Sequence, residues 1–205
     1  MKNLHLKLIT PTREIRTVAL RRPKNSDVRT REHLTPSEVD KLIEAARGNR
    51  YGHRDATMIL VAYRHGLRTA ELCDLRWDQV DFRGAVLHTR RLKNGTPSTH
   101  PIQGDELRAL RRLQRESEAS PFVFVSERGS PFMTAGFARM LERAAATARL
   151  EIKAHPHMLR HACGYALANK GHDTRAIQGW LGHRSITSTA VYTALAPNRF
   201  RDFWR

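Results

Sequence analysis

His157-Met158-Leu159-Arg160 places an imidazole and a guanidinium three residues apart. On a helix those positions share a face, so both groups point at one target. Arginine offers a planar fork suited to phosphate oxygens, and histidine exchanges protons near neutral pH. Gly66-Leu67-Arg68-Thr69-Ala70-Glu71 sets a second arginine directly after a glycine break, where a helix N-terminus favours anions, with Glu71 one turn on to hold it. Lys93, in Lys93-Asn94-Gly95, sits at a tight turn whose tip reaches outward and delivers an ammonium as a proton donor. Leu181-Gly182-His183 is followed nine residues later by Tyr192. A tyrosine is a weak nucleophile until cationic neighbours or a base remove its proton. Taken together these side chains suit phosphoryl transfer, which needs positioning and positive charge more than covalent chemistry. A metal reading of His155, His157 and His161 lacks a carboxylate partner or a His-Glu-x-x-His pattern.

The elements that must position these groups are mostly helical. Thr35-Pro36-Ser37-Glu38 is a capping-box start, followed by Val39, Leu42, Ile43 and Ala46 at helical spacing and a stop at Gly48. A core helix is expected over about 53–65 and a short one over 68–75. Val80 to Thr89, Thr99 to Ile102 and Pro121 to Ser126 read as short strands. Lys93-Asn94-Gly95 is the hairpin signal between the first two. A charged helix is expected over about 104–118, and further helices over 134–150, 157–170, 174–181, 188–194 and 198–204. The fold class is mainly α with a small antiparallel sheet.

The 205 residues allow one full domain. With 36 Lys+Arg against 20 Asp+Glu, the formal net charge of +16 points to a polyanionic partner, nucleic acid by default. Two cysteines, Cys73 and Cys163, make no disulfide framework and fit a reducing cytoplasm. The longest apolar run is far too short for a membrane span, and the N-terminus lacks the features of a signal peptide. Residues 1–33 read as a basic arm. Its first 31 residues hold nine Lys/Arg, among them Arg13, Arg16, Arg21, Arg22 and Lys24, against Glu14 and Asp27. Such an arm grips phosphates. Arg91, beside the turn, is assigned to the same DNA-contacting role.

The order Arg68, Lys93, His157, Arg160, His183, Tyr192 resembles the active-site set of the tyrosine recombinase (phage integrase) family. The surrounding residues resemble its boxes too: Tyr63 to Leu72, His155 to His161, and Leu181-Gly182-His183 leading to Val191-Tyr192-Thr193. Arg91 to Gly95 and His155 to Tyr165 look most like the small recombinases that invert fimbrial promoter switches in bacteria. The resemblance covers residues 34–194 and implies the integrase catalytic-domain fold.

It also implies an enzyme that inverts, excises or integrates DNA. Tyr192 would attack the scissile phosphate and form a 3′-phosphotyrosyl bond. Arg68 and Arg160 would hold the non-bridging oxygens. Lys93 would protonate the leaving 5′-oxygen, His157 would act as general acid/base, His183 would hydrogen-bond the phosphate and Glu71 would support. No metal or other cofactor is implied. The implied partner is double-stranded DNA at paired sites, bound by a homotetramer, with accessory DNA-bending proteins and the nucleoid as setting.

Many family members carry a helical core-binding domain of roughly a hundred residues before the catalytic domain. Here about 33 residues precede Leu34, so weaker, salt-sensitive binding is expected. Residues 195–205 hold Phe200, Phe203 and Trp204, a tail expected to dock on a neighbouring protomer. Two other readings compete: a DNA-binding regulator without catalysis, and a type IB topoisomerase.

Overall fold

The computed structural model describes residues 31–92, 95–116 and 120–194. The arm residues Arg13, Arg16, Arg21, Arg22 and Lys24, together with Lys93 and the 195–205 tail, lie outside them.

The first helix, α1 (Pro36–Arg47), starts as its sequence dictates. The Thr35 hydroxyl accepts from the Glu38 amide at 3.3 Å, and the Glu38 carboxylate accepts from the Thr35 amide at 2.8 Å. Two otherwise orphaned helix donors are thus satisfied. Its buried residues, Val39, Leu42 and Ala46, recur every three to four positions and face α2 (Gly52–Arg64). That second helix buries Ala56, Met58, Ile59, Val61 and Ala62 on nearly every side. It packs against α1, against the later helices α4 (Gly104–Glu116) and α6 (Pro156–Asn169), and against the short α3 (Thr69–Cys73). An all-round apolar helix belongs in the centre, and its C-terminal end is therefore anchored from several directions.

A small sheet follows α3. Strands β1 (Val80–Asp81), β2 (Val86–Thr89) and β3 (Ser98–Pro101) pair antiparallel in the order β1-β2-β3, with Leu87 opposite both Val80 and His100. Two strand expectations are corrected. Val80 to Thr89 is two strands, because the Asp81 carboxylate accepts from the amides of Arg83 and Gly84 (2.8 and 3.0 Å) and closes a tight turn there. Pro121 to Ser126 joins no sheet. It makes single bridges, Arg76 with Phe122 and Val125 with Pro131, while Val123 and Phe124 sink into the core.

Helix α5 (Thr134–Thr147) packs on α1, α3 and α6. Helices α7 (Thr174–Leu181) and α8 (Thr187–Ala194) pack on each other and on α6. Cys163, Ala168, Ile177, Leu181 and Tyr192 form a separate small apolar cluster there. Tyr63 touches both that cluster and the main core. Among the described residues no helix is long and apolar enough to cross a membrane.

Candidate active site

The site forms where three helix ends meet. Beyond α2, Gly66 turns with φ +55°, a conformation open to glycine at little cost. The turn aims its carbonyl at two guanidiniums: Arg160 Nη1 donates to it, and so does Arg91 Nη1 at 3.5 Å. Arg160 Nη2 donates to Leu181 O at 2.7 Å, and Arg91 Nη2 to His65 O at 3.1 Å and to Trp180 O. The carbonyls at the C-terminal ends of α2 and α7 have no helical partner, and the negative end of each helix favours a cation. Both arginines fill that need.

Arg68 caps α3. Its Nη1 donates to Glu71 Oε1 at 2.7 Å and to Leu92 O at 3.2 Å. The buried Glu71 carboxylate also accepts from the Arg68 amide (2.9 Å), Arg91 Nη1 (3.0 Å) and the Leu92 amide (3.1 Å). Burial alone would raise its pKa. The Arg68 amide, the Arg91 charge and the side-chain hydrogen bonds outweigh that, and the net shift is downward. Leu92 is thus tied to Arg68 and Glu71 on both of its backbone groups, immediately before Lys93.

A donor count separates the three arginines. A guanidinium has five N–H groups. Arg91 commits four to protein acceptors, and its side chain is 0% exposed. Arg160 commits two, as does Arg68, whose side chain is 28% exposed. Among the described residues, Arg68 and Arg160 each leave three donors outside these bonds, Arg160 at 2% exposure. Arg91 is therefore corrected: it is an interior strut beneath the site rather than a contact for DNA. The signal in the sequence was the strand alternation, with Leu87, Thr89 and Arg91 inward and His88, Arg90 and Leu92 outward.

Around these arginines lie the histidines and the tyrosine. His183 Nδ1 is hydrogen-bonded to the Thr189 hydroxyl at 2.8 Å. Burial, followed by the charges of Arg160, Arg68 and Arg91, pushes the His183 pKa down to about 4. His157, on the first turn of α6, is also lowered, by loss of surrounding water and by Arg160 and Arg68. Tyr192 on α8 is 2% exposed, with its ring 6.3 Å from that of His183 and edge-on to Tyr165 at 5.1 Å. The ring rests on Gly164, where a Cβ would stand 2.7 Å from it. Burial pushes the Tyr192 pKa up to about 12, against a lowering by the Arg160 charge. Arg160 itself falls to about 10, from burial and then from the charges of Arg68 and Arg91.

Arg68, Glu71, His157, Arg160, His183 and Tyr192 are thus brought together; Lys93 lies outside the described residues. Sequence reasoning missed two features. His161 Nδ1 lies 3.0 Å from the Tyr192 hydroxyl. Behind the arginines, buried Glu106 accepts from His65 Nε2 (2.7 Å), His65 Nδ1 meets His100 Nδ1 (3.0 Å), and His100 Nε2 meets Ser98 Oγ (2.8 Å). Residues so far apart in sequence give no local signal of that chain. Of the three histidines weighed as metal ligands, His155 faces Glu32 at 3.9 Å, His161 meets Tyr192, and His157 lies edge-on to His161.

Residues 32–199 match the model of the phage integrase family. The chain belongs to that family. It is 38% identical over 184 residues to the type 1 fimbriae regulatory protein FimB of Escherichia coli strain K12, covering 87% of this chain and 92% of that protein. To FimE of the same strain it is 41% identical over 180 residues, covering 85% and 91%. The crystal structure of XerA recombinase superposes with a TM-score of 0.72 at 28% identity, over 84% of this chain and 63% of that one. The Tn1549 transposon integrase in complex with transposon right end DNA shares the fold at a TM-score of 0.71 and 22% identity, over 86% and 67%. The mainly helical architecture with its small antiparallel sheet is therefore the recombinase catalytic fold.

Proposed function

We propose that this chain is a tyrosine-type site-specific DNA recombinase that cuts and rejoins DNA through a 3′-phosphotyrosyl intermediate. One observation carries the reading. Arg160 lies close enough to Tyr192, His157 and His183 for its charge to shift all three, and it keeps unspent donors beside Arg68. A phosphodiester seated there meets a nucleophile, two guanidinium forks and two imidazoles at once.

In this mechanism Tyr192 Oη attacks phosphorus and the bond to the 5′-oxygen breaks. Arg68 and Arg160 hold the non-bridging oxygens as negative charge builds, in an interior where such contacts are strong. Lys93 gives the leaving 5′-oxygen its proton. His157 serves as general acid/base, and His183, steadied by Thr189, hydrogen-bonds the phosphate. Glu71 and Arg91 fix the direction of Arg68. The phosphotyrosyl bond conserves the energy of the broken linkage, so rejoining needs no nucleotide. Exchange between two duplexes cuts four strands, and each cut takes one Tyr192. Four copies on paired sites follow, with the basic arm adding phosphate contacts that position without reading sequence.

Trapping tests this reading. The protein is incubated with sheared genomic DNA of the source cell and denatured in SDS, and the ends of protein-linked fragments are sequenced. Enrichment at a few repeated sites is expected. Covalent ends scattered without site preference would indicate a topoisomerase instead, and binding without covalent ends a regulator.

A further inference from the structure

We propose that His161 is a further catalytic residue of this site, the group that holds the Tyr192 hydroxyl and takes its proton during attack. The proposal rests on the reading of Tyr192 as nucleophile.

The geometry is direct. His161 Nδ1 stands 3.0 Å from Tyr192 Oη, with the two rings 5.8 Å apart and inclined at 60°. A phenol is a better donor than an imidazole N–H, and the imidazole imine nitrogen a better acceptor than a phenol oxygen. The bond therefore runs from Oη–H to Nδ1. His161 follows Arg160 on α6, so the group that holds the nucleophile's proton and the guanidinium that would hold the phosphate are set by one rigid helix. His157 meets His161 edge-on at 4.5 Å, but His161 is the imidazole on the Tyr192 hydroxyl, so the base step given above to His157 passes here to His161. His183 stacks beside the Tyr192 ring at 6.3 Å with its Nδ1 on Thr189, whereas the contact to the Tyr192 hydroxyl itself is made by His161.

The groups whose charge bears on His161 are His157, Arg160 and His155 from α6 and its approach and His33 from the segment before α1, while Tyr192 from α8 faces it as a neutral hydroxyl. Burial first, then His157, Arg160, His155 and His33, hold the His161 pKa down to about 4, so it is neutral at physiological pH. With the Tyr192 hydroxyl raised to about 12, the proton stays on oxygen until attack begins. Transfer accompanies formation of the Oη–P bond. The electron pair of the broken bond leaves on the 5′-oxygen, which is protonated separately. In rejoining, the 5′-hydroxyl returns its proton to the group that supplied it and attacks, the Oη–P bond breaks and protonated His161 gives its proton back to Oη. An arriving phosphate monoanion raises the His161 pKa towards this task.

The test compares how fast covalent complex accumulates on sheared genomic DNA for the wild type, His161→Ala, His161→Asn and Tyr192→Phe, from pH 6 to 9.5. General-base loss typically costs about 10²–10⁴-fold, so His161→Ala is expected to be at least ~100-fold slower at pH 7. Its deficit should narrow as pH rises, because ionised tyrosine replaces the base. His161→Asn keeps a polar atom near the Nδ1 position but cannot bind the proton, so it should stay as slow. Wild-type rates in either variant, a deficit that does not change with pH, or full rescue by asparagine would overturn the proposal. Covalent complex formed by Tyr192→Phe would instead remove the nucleophile assignment beneath it. Thermal melting of each variant shows that the fold is retained.

Discussion

Glu71 and Arg91 form a buried ion pair, Oε2 to Nη1 at 3.0 Å, with side chains 1% and 0% exposed. It lies directly under Arg68, which donates to the other oxygen of the same carboxylate. Removing one partner of such a pair leaves an uncompensated interior charge and typically costs about 3–5 kcal/mol. Arg91→Ala is therefore expected to lower the unfolding free energy by that order in urea titrations. A loss below about 1 kcal/mol would show that Arg91 is not an interior strut.

The same carboxylate gives a pH dependence. The Glu71 pKa is lower folded than its ordinary value of 4.5. Its contribution to stability is thus present above that value and lost as pH falls through the folded pKa. Glu71→Gln should reduce stability at pH 7 and flatten its acid limb below about pH 4.5. Parallel wild-type and variant curves in that window would contradict the assignment.

Much of this was legible in the sequence. The Thr35–Glu38 capping box marked α1, the helix expected over 174–181 is found at Thr174–Leu181, and the apolar residues at 56 and 58–62 marked the central helix. The rest depended on long-range partners. Asp81 closes a turn between two short strands by accepting from the amides of Arg83 and Gly84. Val123 and Phe124 look like a strand because the core demands apolar residues there, whatever the backbone does. Strand alternation sets Arg91 inward and Arg90 outward, but the partners that hold Arg91 there, Glu71 and the carbonyls of two helix ends, are distant in sequence and give no local sign.

Gly66 joins backbone conformation to the site. A Cβ there would face a positive φ and stand 2.4 Å from Leu181 Cδ2. The left-handed conformation alone costs a side chain about 1–2 kcal/mol. Gly66→Ala should destabilise by at least about 1 kcal/mol and, by shifting the carbonyl that Arg91 and Arg160 share, slow cleavage more than it weakens DNA binding. Single-turnover cleavage beside a gel-shift titration checks this.

Arg68→Ala and Arg160→Ala should each slow covalent complex formation about 10²–10³-fold, the usual effect of losing one aligned donor to a developing oxyanion. Arg160→Ala should also lower stability, since it abandons Gly66 O and Leu181 O in the interior. Equal stability effects for the two would contradict their different burial.

The positive charge in this mechanism comes from arginine and lysine side chains. Cleavage is therefore expected to proceed at the same rate in EDTA as in Mg²⁺, measured as covalent complex against time. Strict dependence on a divalent cation would contradict it.

The most direct test is to find the atom that holds DNA. Covalent complex trapped in SDS is digested with nuclease and trypsin, and the peptides are sequenced by mass spectrometry. The account predicts a residual 3′-linked nucleotide on Tyr192 and none in Tyr192→Phe, whose DNA affinity is unchanged. A nucleotide on any other side chain, or an adduct that survives Tyr192→Phe, would contradict it.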